Sequence, residues 1–356
     1  MLTVKQIIKG DNEVNMSNIR DVAKAAGVST ATVSRVINHD TKGRMTDETK
    51  EKVWEAIAQL NYKSPAKNIR KTSETKSNDN SNEIIRIGCV ISTEKDKYSD
   101  PYYLSILSSI EEHARKNNYQ IPMIATSKEL EESKSLDSFF SLPLNGIILM
   151  NTLSASIYKY IKEQVPSIVG IDTAHTDIDN IVYDHYHAAA LAVDTLVEKG
   201  YTNIGFFGAC SEGSKLADSK RFRGYLSAMY SHGLNVNPST CINCHWKEEE
   251  CQKEIKRLYQ NNLLPRALVV SSDLMAMAVL RALYDINIRV PDQIAVMGIS
   301  NIEMSKYSNP PLSTISIPTY DLGILALDTL KQRIEGYDML PRTISLPIKV
   351  VQRASV

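Results

Sequence analysis

The sequence has no long apolar run and no excess of charge of either sign. No apolar segment among its 356 residues approaches the roughly 20 residues that a membrane helix requires. The first fifteen residues lack the apolar stretch of a secretory signal. Because 43% of the residues are hydrophobic and 23% are charged, the composition excludes a wholly disordered chain. We therefore expect a globular, cytoplasmic protein with no membrane partner.

Cysteine is scarce, and the common catalytic motifs are missing. Of the five cysteines, Cys241 and Cys244 are followed by His245, a spacing found in metal sites and haem-attachment segments. A zinc site needs four ligands, and only Cys251 lies near enough to add another. The chain has no GxSxG elbow, Walker loop or GxGxxG fingerprint, and an isolated pair such as Asp184 and His185 occurs by chance. We expect reduced thiols, no metal, no cofactor and no enzyme.

The zero net charge hides an uneven distribution. The chain has 41 basic and 41 acidic side chains, but residues 16–76 hold twelve basic and seven acidic ones. The first fifteen residues balance, so residues 77–356 carry the matching negative excess. A basic N-terminal segment on an acidic body is typical of a nucleic-acid binder. Residues 71–83 are polar and without a hydrophobic period, which predicts a linker.

After the linker, short apolar runs alternate with helical patterns. The runs of strand length are 84–91, 121–125, 146–150, 167–171, 203–208, 267–271 and 294–299. The helical patterns between and after them are 103–118, 186–200, 220–233, 273–287 and 320–336. This alternation predicts parallel α/β sheets, since strands covered on both faces are almost continuously apolar. About 270 residues exceed what one sheet usually takes, so we expect two lobes.

The basic segment has the signals of a short helix pair. Asn18 is a favoured N-cap, and Asp21 can pair with the amides that the cap leaves free. Apolar residues then recur on one face, at Ile19, Val22, Ala23 and Ala26. Gly27 ends this helix and Ser29 caps a second one. A third helix is predicted after Thr46, with the buried stripe Val53, Ala56, Ile57 and Leu60.

Two helices joined by a glycine turn and closed by a third form the helix-turn-helix plan. In the second helix Val33, Val36 and Ile37 are predicted to face inward. The opposite face holds Thr30, Ala31, Ser34, Arg35 and Asn38. Arg35 suits a bidentate contact with guanine, while Thr30 and Ala31 are small enough to meet thymine methyls. An unrelated three-helix bundle with a solvated polar face is the alternative.

Residues 16–38, MSNIRDVAKAAGVSTATVSRVIN, closely resemble the DNA-binding signature of the lactose/galactose repressor (LacI/GalR) family. The resemblance implies that Thr30, Ala31 and Arg35 read bases. It implies that a second set mostly holds phosphates: Asn18, Ser29, Thr32, Ser34 and Asn38. It also suggests that family members start near Met16, leaving residues 1–15 as an extension.

The segment after the third helix departs from the family. The family's hinge reads Tyr-x-Pro-Asn-x-x-Ala-Arg-x-Leu, and its leucine enters the minor groove. Here residues 62–71 read YKSPAKNIRK, so Lys71 stands in place of that leucine. Tyr62 matches the start of the hinge, and Ile69 could act as the wedge after a shift of register. The stretch 39–45 is also about two residues longer than is common in the family.

The resemblance extends over the body through 100–104 (DPYYL), 221–224 (RFRG), 272–276 (SDLMA), 290–292 (VPD) and 310–315 (PPLSTI). It is greatest to the galactoside-responsive branch. It implies a core like that of periplasmic sugar-binding proteins: two α/β lobes with parallel sheets and three crossovers, near Asp184, Pro318 and Thr343. The implied domains are an extension 1–15, a helix-turn-helix head 16–63, a hinge and linker 64–83, a first lobe 84–183 with 318–343, and a second lobe 184–317 with 344–356.

A sugar in the cleft needs charged partners for its hydroxyls and a ring for its C–H face. By the resemblance, the candidates are Tyr102, Asn151, Asp172, Tyr183, Arg221, Trp246, Ser272, Asp273 and Ser300. Asp273 begins a predicted helix and could instead be its N-cap. Arg221 could pair with Asp218 on the surface. Ser300 and Asn301 replace two aspartates common in the family, which changes the chemistry offered to the ligand.

The sequence therefore predicts a dimeric, sugar-responsive transcriptional regulator, most simply a repressor of a galactoside-type operon. Its expected partners are a pseudo-palindromic operator, a sugar effector and a second copy of the chain. A transport receptor would share the two lobes but has no use for a DNA-reading head. A carbohydrate kinase is the other alternative, and an ATP-turnover assay would identify it.

Overall fold

The computed structural model describes residues 18–37, 46–60, 84–93, 96–131, 138–210 and 214–356. The chain divides into two compact units, Met1–Ser81 and Asn82–Val356. The predicted extension 1–15 and the hinge and linker 64–83 lie outside the described residues, so those boundaries stay predictions. Within the described residues, no helix is both long enough and apolar enough to cross a membrane.

The first unit contains three helices, α1 (Ile19–Ala25), α2 (Thr30–Ile37) and α3 (Asp47–Gln59). The predicted capping box is present: Asn18 Oδ1 accepts from Arg20 N at 2.8 Å, and Asp21 Oδ2 accepts from Asn18 N at 2.8 Å. Gly27 adopts a φ of +66° in the turn, which glycine tolerates without cost from a Cβ. The side chains buried between the helices are Val22, Ala23, Val33, Val36, Val53 and Ala56.

The first lobe is a six-stranded sheet in the order β11-β5-β4-β3-β1-β2. Its strands are β1 (Arg86–Ile91), β2 (Gln120–Thr126), β3 (Gly146–Met150), β4 (Ile168–Ile171), β5 (Asp179–Tyr183) and β11 (Thr343–Leu346). All of the described pairs in this sheet are parallel. Helices α4 (Pro101–Lys116), α5 (Ser127–Glu131), α6 (Ala155–Gln164) and α11 (Thr319–Ile334) accompany it.

The second lobe repeats this topology with the order β12-β10-β9-β8-β6-β7. Its strands are β6 (Ile204–Gly208), β7 (Cys241–Asn243), β8 (Ala267–Val270), β9 (Ala295–Ser300), β10 (Ser313–Ser316) and β12 (Lys349–Val351). The edge pair β10–β12 is antiparallel, and the others are parallel. Helices α7 (His185–Glu198), α8 (Lys220–Ser231), α9 (Glu248–Gln260) and α10 (Asp273–Asp285) belong to this lobe.

The chain passes between the lobes three times. The first passage is at Asp184, between β5 and α7, and the second is at Pro318, between β10 and α11. Both agree with the predicted positions. The third was predicted near Thr343, but residues Thr343–Leu346 pair with β5 in the first sheet, so the passage follows Leu346. The prediction was misplaced because this short strand alternates exposed and half-buried residues and has no apolar run.

The cysteines are all free thiols, as predicted. Cys244 and Cys251 are buried, and burial raises the pKa of Cys241 above the usual thiol value. Across the described ranges, no group of three His, Cys, Asp or Glu side chains could hold a metal ion. The CxxCH pattern thus lies in β7 and the turn after it, where its cysteines contribute to packing.

Candidate functional site

The predicted reading face of α2 is open to solvent. Thr30, Ala31 and Arg35 are exposed. The Ser29 hydroxyl accepts from Thr32 N at 3.1 Å and contacts the Thr32 hydroxyl at 2.9 Å, so these two side chains fix the start of the helix. Thr32 and Ser34 are half-buried. Three further predicted DNA contacts, Asn38, Tyr62 and Ile69, lie outside the described residues.

Three predicted effector residues of the first lobe sit at the carboxyl ends of its strands, and a fourth lies at the start of a helix. Asn151 follows β3, Asp172 follows β4, Tyr183 ends β5, and Tyr102 lies in the first turn of α4. Asn151 and Asp172 adopt φ values of +64° and +55°. This left-handed conformation turns the chain sharply, and Asn and Asp tolerate it better than most residues. Ligands of open α/β sheets bind at this edge.

The Asp172 carboxylate is the centre of this group. Its side chain is only 6% exposed. Oδ2 accepts a hydrogen bond from the Tyr102 hydroxyl at 3.2 Å, whereas Oδ1 makes no hydrogen bond within the described residues. Burial and the nearby carboxylate raise the pKa of Tyr102 well above its usual value, so the phenol remains a donor. Asn151 donates to the Tyr103 hydroxyl, and the Tyr102 and Tyr103 rings meet edge to face.

The second lobe contributes Arg221 and Trp246. Arg221, in the first turn of α8, donates from Nη2 to the Tyr183 hydroxyl and so joins the two lobes. Its guanidinium lies 5.6 Å from the centre of the Trp246 ring and 6.0 Å from that of Tyr183, within cation–π range. Its Nε is buried and makes no hydrogen bond within the described residues. Among the described residues Arg221 forms no ion pair with Asp218, whose Oδ2 accepts from Lys215 N.

His185 belongs to the group but was not among the predicted residues. Its Nε2 lies 3.1 Å from Asp172 Oδ1, and its ring stacks on Tyr183 with centroids 4.0 Å apart. Burial and Arg221 lower the pKa of His185 below its usual value, although Asp172 opposes this. The sequence signal for His185 is its position next to Asp184 at the predicted crossover, but isolated Asp–His pairs are too common to identify a site.

The structure does not bring Asp273 or Ser272 into this group. Asp273 is fully buried, where Oδ1 accepts from the Thr314 hydroxyl at 2.6 Å and Oδ2 from Ile302 N at 3.0 Å. Burial raises the pKa of Asp273 to about 6, and those hydrogen bonds offset it only in part. Ser272, rather than Asp273, is the N-cap of α10, since its hydroxyl accepts from Met275 N at 3.3 Å.

The strand end of β9 is also occupied by internal contacts. The Ser300 hydroxyl donates to the neighbouring carbonyl of Ile299. Asn301 donates to the Ser316 hydroxyl at 3.1 Å, and its Oδ1 accepts from Arg353 at 2.7 Å. The polar groups at this edge of the second lobe therefore stabilise its C-terminal segment.

A pocket of about 490 Å³ adjoins Asp172 and His185, and Lys220 and Arg342 also line it. This volume is in the range that holds small ligands. Arg221, Trp246, Tyr102 and Asn151 do not line this pocket. Beside it, the group offers a buried acceptor on Asp172, a buried donor on Arg221 and the aromatic face of Trp246, and this chemistry suits a small polar molecule.

Both units of the chain match models of known protein families. Residues 18–64 match the family model described as bacterial regulatory proteins, lacI family. Residues 193–356 match a periplasmic binding protein-like domain. The HTH-type transcriptional repressor PurR of Actinobacillus pleuropneumoniae serotype 3 (strain JL03) is 32% identical over 351 residues, covering 96% of this chain and 98% of that protein. This relative gives no support to the predicted galactoside-responsive branch.

Solved structures share the fold over the same length. The transcriptional regulator CelR–cellobiose complex has a TM-score of 0.67 at 21% identity, covering 96% of this chain and 100% of that one. The lac repressor dimer bound to operator and the anti-inducer ONPF has a TM-score of 0.64 at 24% identity, covering 96% and 99%. Because the relatives are transcriptional regulators, the expectation that this chain is not an enzyme is confirmed. The chain belongs to the LacI family of bacterial regulatory proteins.

Proposed function

We propose that the chain is a transcriptional repressor that binds a palindromic operator as a homodimer and responds to a sugar in the cleft between its lobes. The observation that carries the effector site is a pair of buried atoms that make no hydrogen bond among the described residues: Asp172 Oδ1, which His185 Nε2 approaches at 3.1 Å, and Arg221 Nε. One is an acceptor on the first lobe, and the other is a donor on the second. A molecule that joins them favours one arrangement of the lobes, which is the requirement for an allosteric response.

Sugar chemistry suits this pair. A hydroxyl can donate to Asp172 while a neighbouring hydroxyl accepts from Arg221, and hydrogen bonds to charged groups are the stronger kind. Trp246 is 37% exposed, so its ring can cover the C–H face of a sugar. The fold match to a regulator in complex with cellobiose supports the same class of effector.

A purine base is the second candidate, and the relatives named PurR favour it. A purine also offers an N–H donor beside an acceptor, and its flat ring would stack on Trp246. Both candidates use Asp172 and Arg221, so substitutions at these residues cannot separate them. A direct ligand panel can.

The effector experiment is a thermal-shift and calorimetric panel of galactosides, glucosides, phosphosugars and purine bases. We expect one class to stabilise the protein, since a ligand that binds only the folded state raises its stability. Asp172→Asn should weaken that ligand about tenfold or more, because it removes a charged acceptor, while operator binding stays close to normal. Asp194→Asn, which changes a surface aspartate paired with His232, is the matched control. Normal ligand binding by both Asp172→Asn and Arg221→Gln would contradict the proposed site.

The operator experiment tests α2. Arg35→Ala should cost about 1–3 kcal/mol of operator binding and relax the preference at one base position. Lys24→Ala removes the same charge from α1 and should weaken binding without changing sequence preference. Titrations at fixed salt, on the natural operator and on single-base variants, measure both effects. Equal operator affinity and base preference in Arg35→Ala and wild type would disprove the role of Arg35.

A further inference from the structure

His185 spans the first passage between the lobes. Strand β5 of the first lobe ends at Tyr183, and α7, which packs against α8 of the second lobe, begins at His185. The His185 side chain nevertheless reaches back to the first lobe, where Nε2 lies 3.1 Å from Asp172 Oδ1. The residue thus connects the carboxylate of one lobe to the first turn of a helix in the other.

The surroundings of His185 hold its ring in place and leave the contact incomplete. The ring stacks on Tyr183 of β5, and Tyr183 in turn accepts from Arg221 of α8. The charged groups that act on it are Asp172 after β4 and Arg221 and Lys220 of α8. Nε2 lies 3.1 Å from Asp172 Oδ1, and this contact favours the charged ring, but it lacks the alignment of a full hydrogen bond and so covers the oxygen without fully satisfying it.

We propose that His185 is a specificity-determining residue of the effector cleft, which covers Asp172 Oδ1 and admits only an effector that donates a hydrogen to that oxygen. The inference rests on the proposed effector site and adds its regulation. A donor on the effector gains a full bond to a charged acceptor, whereas a ligand that offers only an acceptor is repelled by the carboxylate. Displacement of the His185 ring moves the first turn of α7. Effector binding at Asp172 of the first lobe thereby shifts a helix of the second lobe.

The covering contact makes effector binding depend on pH. A protonated His185 forms an ion pair with Asp172 and competes with the effector's donor, whereas a neutral ring yields. Burial, Arg221 and Lys220 favour the neutral ring, and Asp172 favours the charged one. The effector should therefore bind more weakly as the pH falls and His185 takes up its proton.

The test uses the full chain, with D-galactose and hypoxanthine as probes, in calorimetric titrations at pH 5.5 and 8.0. Wild type should bind the active probe roughly threefold or more tightly at pH 8.0, by proton linkage. His185→Asn should lose this difference and should release operator less fully when the probe is bound. His187→Asn changes an exposed histidine of the same helix turn and should behave as wild type.

Identical pH dependence and operator release in the His185→Asn and His187→Asn variants would overturn the proposal, while probe binding by wild type would leave the proposed function intact. If neither probe binds wild type, these two effector candidates fail, and a ligand-free measurement decides the inference. In a histidine NMR titration, Asp172→Asn should lower the pKa of His185. An unchanged His185 titration would overturn the contact on which the proposal depends.

Discussion

The two lobes have corresponding strand orders and differ in the direction of one edge strand, and each buries an aspartate in different electrostatic surroundings. In the first lobe, the fully buried Asp179 accepts from Arg333 Nε at 2.6 Å and from Arg342 N at 2.7 Å. In the second lobe, the equally buried Asp273 accepts only from neutral donors among the described residues, including the Thr314 hydroxyl and Ile302 N. Both aspartates tie separate segments of the chain to their sheet.

The two surroundings shift the pKa values in opposite directions. Burial alone would raise the pKa of Asp179, but Arg333 and Arg342 outweigh it and lower the pKa. For Asp273 burial prevails, and the pKa rises to about 6. The stability from Asp179 is present above its unfolded-state pKa and is lost as the pH falls. The stability from Asp273 is present below its unfolded-state pKa and is lost as the pH rises through about 6.

A third buried aspartate, Asp172, differs from both in its hydrogen bonding. Asp172 is nearly as buried, yet one of its oxygens has no hydrogen bond within the described residues and lies beside a histidine of the other lobe. Both oxygens of Asp179 and both oxygens of Asp273 accept hydrogen bonds from the protein, whereas Asp172 Oδ1 accepts none among the described residues. Burial alone therefore does not distinguish Asp172 from the other two carboxylates, but its unsatisfied oxygen does.

The largest expected effect comes from breaking the ion pairs of the first lobe. Asp179→Ala leaves Arg333 and Arg342 without their buried partner and should cost about 3 kcal/mol of unfolding free energy. Urea denaturation at pH 7.5 measures this change. Asp285→Ala removes a surface i,i+4 pair with Arg281 and should cost about 0.5 kcal/mol or less. Equal losses in the two variants would mean that Asp179 is no more than a surface partner.

The second lobe should respond to acid in the opposite sense. Because the pKa of Asp273 is raised, its protonation should add about 2 kcal/mol of stability between pH 6.5 and 4.5. Asp273→Asn removes this titration, so the difference in unfolding free energy between variant and wild type should change by that amount across this range. Parallel stability curves for the two proteins would show that Asp273 does not titrate there.

The smallest effect concerns the bond between the lobes. Tyr183→Phe removes the hydroxyl that accepts from Arg221 and should cost about 1 kcal/mol of stability. Tyr230→Phe, in an exposed tyrosine of α8, is the matched control and should cost nearly nothing. Thermal unfolding of the full chain measures both. A larger loss in Tyr230→Phe than in Tyr183→Phe would contradict the importance of this contact.

Local signals predicted the three head helices, five body helices and most inner strands because their causes lie within a few residues, whereas α5, α6, α9 and the inner strands β5 and β10 were not predicted. The Asn18 capping box, the Gly27 turn and the apolar runs of β3, β6 and β8 are examples. The short edge strands β7, β11 and β12 were missed, since their residues are only half-buried or exposed and no periodicity distinguishes them from loops. The third passage was predicted near Thr343, before β11 instead of after it, for the same reason: no apolar periodicity identifies this strand.

Sequence patterns were sufficient for the three-helix head, the exposed face of α2 and the alternation that builds two α/β lobes, because caps and hydrophobic periods act locally. The grouping of polar residues into one cluster required the three-dimensional packing of the chain. That packing places Asp172 of the first lobe 3.1 Å from His185 of the second lobe, and it engages Asp273 in hydrogen bonds within the second lobe. Whether a carboxylate is free for a ligand depends on donors supplied by distant segments, and no local pattern contains that information.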